Sequence, residues 1–398
     1  MKLIVFGHRL ELGGTQVNAI ELAAQLRDRH GFDIVFHAAP GPALDLVAAH
    51  NLVYSPAPDV RLHPSMARIK ALRALVQREQ PDLIHAWDWW QGLEAYTGVH
   101  LPMGVPLVIS DMMMELTRAM PREVPTTFGF VGQQERAQRS GWRRTHLLLP
   151  PVDVAANAPE AVDGRAFRLR YGVGEHEIAV VSVSRLAKVM KSEGLVRAIE
   201  VIGELGAVLP LKLVIVGDGE ARGVLQQMAD KVNARLGRAA VVLIGALRDP
   251  RPAYAASDIV LGMGGSALRG LSFAKPLVMI GERGFARLFT PETVPEFLQN
   301  GMFGIGQGHV DNLEMAEAFT TLAQDPQMRL TLGAFGRDFV VAHHGLEAVS
   351  DGLAQFCRAA AIARPHLSQT VRDVCRTSYY YLRERRFRVA SRDQHAKP

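Results

Sequence analysis

A repeated alternation of short apolar segments with longer amphipathic ones constrains the fold of this chain more than any other feature. The apolar segments are rich in Val, Ile and Leu, and the runs between them carry apolar positions at helical spacing. This alternation is typical of βαβ units, whose parallel strands are buried on both faces. In the first half of the chain the predicted strands are 2–7, 33–38, 82–87, 106–110 and 146–151.

The second half of the chain begins this pattern again. Its predicted strands lie in "IAVVSVSR", "LKLVIVGDG", "AVVLIGA", "DIVLGMG" and "KPLVMIG". Because a single hydrophobic core rarely exceeds about 250–300 residues, a chain of 398 residues also suggests two domains. We therefore expect an α/β fold of two doubly wound, Rossmann-like domains that face each other across a cleft. The predicted domains are residues 1–160 and 161–345, followed by C-terminal helices and a basic tail at 346–398.

Composition and charge narrow the class of protein. The chain has 48% hydrophobic residues, no apolar run near the ~20 residues that cross a bilayer, and a strand directly after Met1 rather than a signal peptide, so we expect a cytoplasmic globular protein. Cys357 and Cys375 match no metal-ligand spacing, which favours reduced thiols. The net charge of +5 is concentrated in 383–397, where aromatics do not interleave at the spacing of an RNA-binding surface. A solvated terminus is therefore favoured over contact with nucleic acid or a membrane.

A glycine-rich turn follows the first predicted strand. Ligands of doubly wound sheets bind beyond the carboxyl ends of the strands, which is where Gly13 and Gly14 fall, and Thr15 is predicted to cap the next helix. Backbone amides and the positive end of a helix dipole at this place suit a diphosphate or a sugar hydroxyl. The turn matches neither a dinucleotide-binding fingerprint nor a Walker A loop, and a purely structural role for its glycines stays open.

A pair of cations follows the first strand of the second half. Arg185 ends that strand, and Lys191 lies shortly before a helix predicted to begin near Ser192. Two cations at a strand end can clamp a pyrophosphate and neutralise its charge as it leaves. Lys188 lies between them and is interpreted as a surface charge.

Two further strand ends of the second half carry glycines. Gly217 and Gly219 predict a tight turn that lets the backbone approach a ligand closely. Beyond the next strand, the backbone from Gly245 to Leu247 is predicted to hydrogen-bond the edge of a nucleotide base.

Polar and aromatic residues crowd one strand end of the first half. His85, Trp87 and Asp88 stand together in "DLIHAWDWW". Such groups suit a sugar, which offers hydroxyls to hydrogen bonds and apolar faces to aromatic rings. A core aromatic cluster is the competing interpretation.

Taken in order, these motifs resemble the GT-B glycosyltransferases, and most closely the retaining family 4. The resemblance covers nearly the whole chain and is carried by "GGT", "LLLPPVDV", "SRLAKVMKSEG", "LVIVGDGE" and "YAASDIVLGMGGSALRGLSFAKPLV". It implies the GT-B fold, a nucleotide-diphosphate sugar as donor substrate, and an acceptor that binds mainly in the N-terminal domain. It also implies front-face displacement without a metal ion, a cofactor or a protein nucleophile.

The resemblance also implies roles for single residues. Arg185 and Lys191 match the family's donor-diphosphate cations, but one extra residue separates them, and Lys188 stays open as the alternative to Lys191. Gly14 matches the glycine that approaches the donor phosphates. His85 matches the first histidine of the family's "HAHD" and is therefore included among the predicted catalytic residues. Trp87 stands where the family has a second histidine.

The segment "GMGGSALRG" departs from the family in both of its glutamates. The first glutamate is absent, and Arg269 stands in the place of the second. The backbone amides of the helix start still suit a phosphate. We therefore expect donor binding at four residues besides Arg269, namely Gly264, Gly265, Ser266 and Ala267.

The sequence thus predicts a retaining, metal-independent glycosyltransferase that acts on a small natural-product or glycan acceptor. Two alternatives stay open: a GT-B sugar-nucleotide epimerase, against which the missing glutamates count, and a catalytically silent GT-B protein that binds a sugar nucleotide or a partner enzyme. The sequence leaves open the base and sugar of the donor, whether the acceptor's nucleophile is oxygen, nitrogen or sulfur, and whether the protein is a homodimer.

Overall fold

The computed structural model describes residues 1–11, 13–187, 192–308, 312–363 and 367–395, and it divides into two compact units. The first unit contains residues 1–151 and 346–398, and the second contains residues 152–345. The division therefore falls between Pro151 and Val152, before the predicted boundary at residue 160. The C-terminal helices do not form a separate region, because they belong to the first unit.

The described part of the first unit contains a seven-stranded parallel sheet in the order β3-β2-β1-β4-β5-β6-β7. The strand order reverses between β1 and β4, as in doubly wound folds. The strands are β1 (Lys2–Phe6), β2 (Asp33–Ala38), β3 (Val53–Pro56), β4 (Leu83–Trp87), β5 (Leu107–Asp111), β6 (Thr126–Phe128) and β7 (Thr145–Leu147). The helices are α1 (Gly14–Asp28), α2 (Leu44–Ala49), α3 (Met66–Glu79), α4 (Trp89–Ala95), a π-helical turn (Tyr96–His100), α5 (Leu101–Met103) and α6 (Val131–Arg139).

The second unit repeats this architecture with six described strands in the order β10-β9-β8-β11-β12-β13. All neighbours are parallel except β12 and β13. The strands are β8 (Ile178–Val183), β9 (Leu211–Val216), β10 (Val241–Gly245), β11 (Ile259–Gly262), β12 (Leu277–Ile280) and β13 (Ala286–Leu288). The helices are α7 (Arg165–Arg170), α8 (Ser192–Leu205), α9 (Arg222–Leu236), α10 (Arg251–Ala256), α11 (Gly265–Ser272), α12 (Val294–Asn300), α13 (Leu313–Gln324) and α14 (Pro326–His344).

The two ends of the second unit lie side by side. The backbone N–H of Val152 donates to the carbonyl of His344 at 2.7 Å, and Val152 also forms a parallel bridge with Gly345. Helix α14, which ends at His344, begins at a sequence typical of a helix start, an aspartate followed by a proline. Asp325 caps it by accepting from the N–H of Met328, and Pro326 occupies its first position.

The final helices, α15 (Leu346–Ile362) and α16 (Leu367–His395), return to the first unit. The apolar face of α15 joins the same core as α1, and Cys357 is buried in it, so burial raises the pKa of that thiol to about 12. Cys375, on α16, is exposed. None of the helices in the described part of the chain combines the length and the apolarity that a membrane span requires.

Candidate functional site

Three titratable residues meet at the carboxyl ends of adjacent strands in the first unit. His8 follows β1, Asp88 follows β4 and Asp111 ends β5. The Nε2 atom of His8 lies 3.1 Å from the Oδ2 atom of Asp88. The sequence predicted a site at Asp88 but missed His8 and Asp111. Their positions at the ends of predicted strands were a usable signal, because neighbouring parallel strands place their last residues along one edge of the sheet.

Asp88 holds an unusual backbone conformation at this edge. Its φ of 76° and ψ of 162° fall in a region that is otherwise used almost only by glycine, and this costs about 1–3 kcal/mol. Its Oδ1 atom accepts from the backbone N–H of Trp89 at 2.7 Å and so caps α4. The Oδ2 atom is left to face His8. Strain retained at a strand end marks Asp88 as a functional candidate.

Asp111 is fully buried at the end of β5. Its Oδ1 atom accepts from the N–H of Met113 at 3.1 Å, whereas Oδ2 has no hydrogen-bond partner among the described residues. Burial raises the pKa of this carboxyl to about 8, and the charge of Asp88 contributes in the same direction. Asp111 therefore keeps its proton at neutral pH and offers an O–H donor at the strand end.

His85 and Trp87 lie inside the first unit rather than at its surface. Their exposed fractions are 1% and 2%. The Nε2 atom of His85 lies 2.7 Å from the Oγ atom of Ser110, which in turn lies 2.7 Å from the hydroxyl of Thr127, and burial lowers the pKa of His85 to about 3. Both side chains are packed in the core, which is the alternative that the sequence left open. In this conformation neither side chain is exposed to a substrate.

The glycine turn lies at the start of α1. Gly13 occupies the N-cap position, and α1 begins at Gly14. Thr15 therefore lies inside the first turn and does not cap the helix, which corrects the sequence-based expectation. A Cβ atom built on the exposed Gly14 would meet no described atom within 4 Å, so this position leaves open room beside the amides of the first turn.

Arg185 is exposed directly beyond β8 in the second unit. Its guanidinium makes no hydrogen bond or ion pair with the described residues. A cation that is left without a protein partner at a strand end is available to an anionic ligand. Lys188 and Lys191, the other predicted cations of this segment, lie outside the described residues.

The glycines beyond β9 serve the packing of neighbouring loops. Gly217 has a φ of 146°, and a Cβ atom on it would lie 1.8 Å from the carbonyl oxygen of Ser184. Its N–H donates to the carbonyl of Gly245 at 2.8 Å, while Leu247 is partly buried against the core on one face of the sheet. The close approach predicted for a ligand at Gly217 is made here by the protein's own backbone.

The segment between β11 and α11 forms a turn that only glycine adopts readily. Gly264 has a φ of 57°, and its N–H donates to the carbonyl of Met302 at 2.8 Å. In the first turn of α11, the N–H groups of Gly265, Ser266 and Ala267 have no acceptor within the helix. They form the positive end of the helix dipole at the carboxyl edge of the sheet.

Arg269 folds back over this first turn. Its Nη1 atom lies 3.5 Å from the carbonyl oxygen of Gly265, and its charge acts against the rise in the pKa of Tyr254 that burial causes. The half-buried guanidinium therefore lies beside the amides of the helix start. Arg269 replaces the family's carboxylate with a positive charge at an anion-binding end of a helix.

Glu193, in the first turn of α8, is a site residue that sequence reasoning missed. Its carboxylate accepts from the backbone N–H groups of Arg283 and Gly284, at 3.0 and 2.5 Å. This contact ties the start of α8 to the loop beyond β12, at the edge that also holds Arg185. No sequence pattern signals it, because the two partners are far apart in the chain.

Among the described residues, no group of three or more His, Cys, Asp or Glu side chains is arranged to hold a metal ion. The titratable groups at the edge of the first sheet are two carboxyl groups and an imidazole. At the edge of the second sheet they include the guanidinium groups of Arg185 and Arg269. In the first unit they can donate and accept protons, and in the second they can bind phosphate.

The sequence and the fold are both similar to those of known glycosyltransferases. Residues 12–116 match the family model described as Glycosyltransferase Family 4, whereas no curated protein has a significant match to the sequence. HepE of Anabaena in complex with UDP-glucose has a TM-score of 0.69 at 18% identity, over 90% of this chain and 100% of that chain. A glycosyltransferase of Rickettsia africae has a TM-score of 0.73 at 11% identity, over 91% of this chain and 99% of that chain.

The UDP-GlcNAc 2-epimerase of Neisseria meningitidis bound to UDP-GlcNAc is also similar, with a TM-score of 0.59 at 11% identity over 90% of this chain and 100% of that chain. The two doubly wound sheets and these likenesses define the fold as that of the GT-B glycosyltransferases. Within the first unit, the similarity of residues 12–116 to Glycosyltransferase Family 4 agrees with this fold. The predictions of the fold and of the family resemblance are thereby confirmed.

Proposed function

We propose that the protein is a cytoplasmic, retaining glycosyltransferase that uses a nucleotide-diphosphate sugar and no metal ion. The acceptor is a small natural product or a glycan, held mainly by the first unit. The match to Glycosyltransferase Family 4 and the structural likeness to a UDP-glucose complex of HepE support this proposal.

One observation carries the proposal: at the carboxyl edge of the second sheet lie two guanidinium groups that form no ion pair with any described residue. Arg185 is exposed without a partner among the described residues, and Arg269 lies over the free amides of α11. A diphosphate carries two phosphoryl groups whose negative charge increases as the sugar leaves. Guanidinium and amide donors that are already in place stabilise that charge without reorganising.

The carboxyl edge of the first sheet supplies the groups that would orient the acceptor. Asp88 is held by its bond to Trp89 and paired with His8, so its carboxylate has a fixed direction. In front-face displacement the acceptor oxygen forms its bond to the anomeric carbon on the face that the phosphate leaves, and the departing phosphate takes the acceptor's proton. The protein then contributes position and charge rather than a nucleophile.

The first test is thermal stabilisation by a panel of UDP-, GDP-, ADP- and TDP-sugars, because a ligand that binds the folded state raises its melting temperature. At least one donor should stabilise the protein, and Arg185→Ala should weaken that effect. If no nucleotide shifts the melting temperature, the proposal fails. With the donor known, NMR of the product's anomeric proton should show the donor's configuration, and activity should persist in EDTA.

The first-unit edge also favours a second candidate, a sugar-nucleotide epimerase. Such chemistry needs acid and base groups, and Asp88, Asp111 and His8 supply them in the first unit, although the two family glutamates are missing from "GMGGSALRG" in the second. The structural likeness to a UDP-GlcNAc 2-epimerase points the same way. Incubating each donor without an acceptor separates the two activities. A new epimer in the NMR spectrum indicates the epimerase, and an unchanged donor indicates the transferase or a silent binder.

A further inference from the structure

The first unit contains a cavity that the proposed reaction does not use. Its volume is about 670 Å³, which is the size of many small-molecule sites. We call it the arginine cavity, because guanidinium groups dominate its lining. Its main lining residues are Arg118, Arg122, Arg136, Arg139, Trp142 and Tyr380.

The arginine cavity extends away from the edge that holds Asp88. Arg122 lies shortly before the first residue of β6, and Trp142 shortly before that of β7, so both lie towards the amino ends of these parallel strands. Arg136 belongs to α6, and Tyr380 to α16 of the same unit. Three separate segments of the chain thus bring their side chains to one place.

The positive charge of the cavity is only partly balanced within the described protein, where Arg139 pairs with Glu135 at 3.8 Å. Arg118, Arg122 and Arg136 form no ion pair with any described residue. The nearby carboxylate of Asp373 is already occupied, because it accepts from the backbone N–H of Arg122 and binds the guanidinium of Arg376. Burial, followed by the charge of Arg376, lowers the pKa of Arg122. Glu115 contributes a single exposed carboxylate to the lining.

Two buried donors in the lining have no acceptor. The Nε atom of Arg122 and the Nε1 atom of Trp142 are without a hydrogen-bond partner among the described residues, and Trp142 is only 3% exposed. The guanidinium carbon of Arg122 lies 4.9 Å from the centre of the Trp142 ring, which fixes the two groups relative to each other. Unpaired buried donors are costly, so these two residues keep a hydrogen-bonding capacity that the described residues do not satisfy.

We propose that the arginine cavity binds a phosphate ester, that is, a phosphomonoester or diphosphate group carried by an organic molecule. Phosphate offers several acceptor oxygens and matches the planar fork of a guanidinium in bidentate geometry. The aromatic walls formed by Trp142 and Tyr380 suit the organic part of such a molecule. This site is independent of the donor site in the second unit and does not rest on the proposed function.

Pyrophosphate is the probe for a soluble phosphate group. It is titrated calorimetrically into full-length protein that carries both Arg185→Ala and Arg269→Glu, so that the contribution of the proposed donor site is reduced. We expect one bound pyrophosphate, and affinity that falls by about tenfold or more when Arg118→Glu is added, since charge-assisted bonds to phosphate are strong ones. Arg143→Glu is the matched control, because Arg143 is exposed beside Trp142 but does not line the cavity.

The phosphate group of a lipid is the second source of the same chemistry. Sedimentation with vesicles that contain phosphatidic acid tests it on the same variants. Vesicle binding that Arg118→Glu abolishes and Arg143→Glu spares, without pyrophosphate binding, assigns the cavity to a lipid headgroup. Absence of both kinds of binding in a correctly melting protein overturns the proposal. Equal losses of binding in Arg118→Glu and Arg143→Glu also overturn the proposal, because they would show that binding depends on the overall surface charge rather than on the cavity.

A second variant covers the case in which charge reversal disturbs the fold. Trp142→Phe keeps an aromatic ring but removes the indole N–H together with the second ring of the indole, so its melting temperature is measured alongside. It should weaken pyrophosphate binding while leaving the ring contact with Arg122. Unchanged pyrophosphate affinity in both Trp142→Phe and Arg118→Glu would contradict a phosphate site at this place.

Discussion

The imidazole Nε2 of His8 and the carboxylate Oδ2 of Asp88 lie 3.1 Å apart, although the two residues are 80 positions apart in the sequence. They meet because β1 and β4 are parallel neighbours whose chains leave the sheet at the same edge. The backbone strain at Asp88 holds its carboxylate towards His8. This pair is the most specific polar feature at the acceptor side of the proposed enzyme.

Replacing Asp88 should separate its contribution to activity from its effect on stability. Asp88→Asn can still cap α4 but loses the negative charge beside His8, so we expect turnover to fall by about tenfold or more. Asp88→Gly relaxes the backbone at the same position and should melt at the same or a higher temperature while turnover also falls. Turnover assays and melting curves of both variants test this. A clearly lower melting temperature for Asp88→Gly would contradict the assignment of strain.

The stability of the first unit should depend on pH through Asp111. The pKa of this carboxyl is 3.8 when it is exposed to water, as in the unfolded chain, and about 8 in the folded protein, because burial disfavours the charged form. The folded state therefore keeps a proton that the unfolded chain loses. This stabilising contribution is complete below about pH 4 and is lost as the pH rises through about 8.

The comparison of wild type with Asp111→Asn measures this effect. Asparagine imitates the neutral carboxyl and does not titrate. The free energy of unfolding of the variant should therefore lose the part of its pH dependence that lies between about pH 4 and 8. The difference in slope should approach about 1.4 kcal/mol per pH unit. Urea midpoints of the first unit's transition between about pH 5 and 8 provide the measurement. Parallel pH profiles for the two proteins would show that Asp111 is ionised in the folded state.

Arg185→Ala should lower turnover by more than about tenfold if the guanidinium stabilises the leaving diphosphate. The melting temperature should hardly change, because this side chain has no described partner to lose. Lys191→Ala carries the same expectation from the sequence. Arg165→Ala removes an exposed arginine of α7 and serves as the control. Near-normal rates in both Arg185→Ala and Lys191→Ala would exclude these residues from leaving-group stabilisation.

Arg269→Glu should weaken donor binding more than it weakens the fold. The substitution places a negative charge over the first turn of α11, where the amides favour an anion from the ligand instead. Arg269→Gln, which is neutral, should fall between Arg269→Glu and wild type. Donor dissociation constants and melting temperatures of the three proteins test the order. An unchanged dissociation constant with a lowered melting temperature would make Arg269 a structural residue.

Gly217→Ala should destabilise the second unit strongly. A Cβ atom at this position would overlap the carbonyl of Ser184, and the φ of 146° is strained for any side chain, so we expect a loss of about 3 kcal/mol or more. Gly223→Ala is the matched control in α9, where a Cβ atom meets nothing within 4 Å and should add up to about 1 kcal/mol of stability. Urea unfolding of both variants measures the difference. Equal stabilities would show that the loops beyond β8 and β9 can separate.

The alternation of apolar strands with helices was sufficient to predict both sheets. The structure adds β3, β6 and β13, which are too short to show a pattern of their own: β6, for example, is the segment Thr126–Phe128, directly after a proline. The return of α15 to the first core could not be predicted either. It depends on a fit between its apolar face and that of α1, and apolar periodicity identifies a face without identifying its partner.

The positions of Arg185 and Asp88 at strand ends were predictable, because a single strand determines each of them. The candidate site was not predictable where two distant segments meet. Asp111 acquires its raised pKa from the depth of its burial, which no local pattern reveals. The position of Arg269 in the first turns of α11 could be predicted from the sequence. The direction of its side chain could not, because an arginine in a helix can point either towards the helix start or into solvent.

The hydrogen bond between Val152 and His344 gives the second unit the form of a closed insertion within the first. A module whose entry and exit touch can be removed or replaced with little disturbance to the host, because a short peptide is enough to rejoin the cut chain. The second unit, which we propose as the donor half, is therefore a natural unit of exchange. Grafting the segment 152–345 of a relative with a different donor is a direct way to change which sugar is used while the acceptor half is kept.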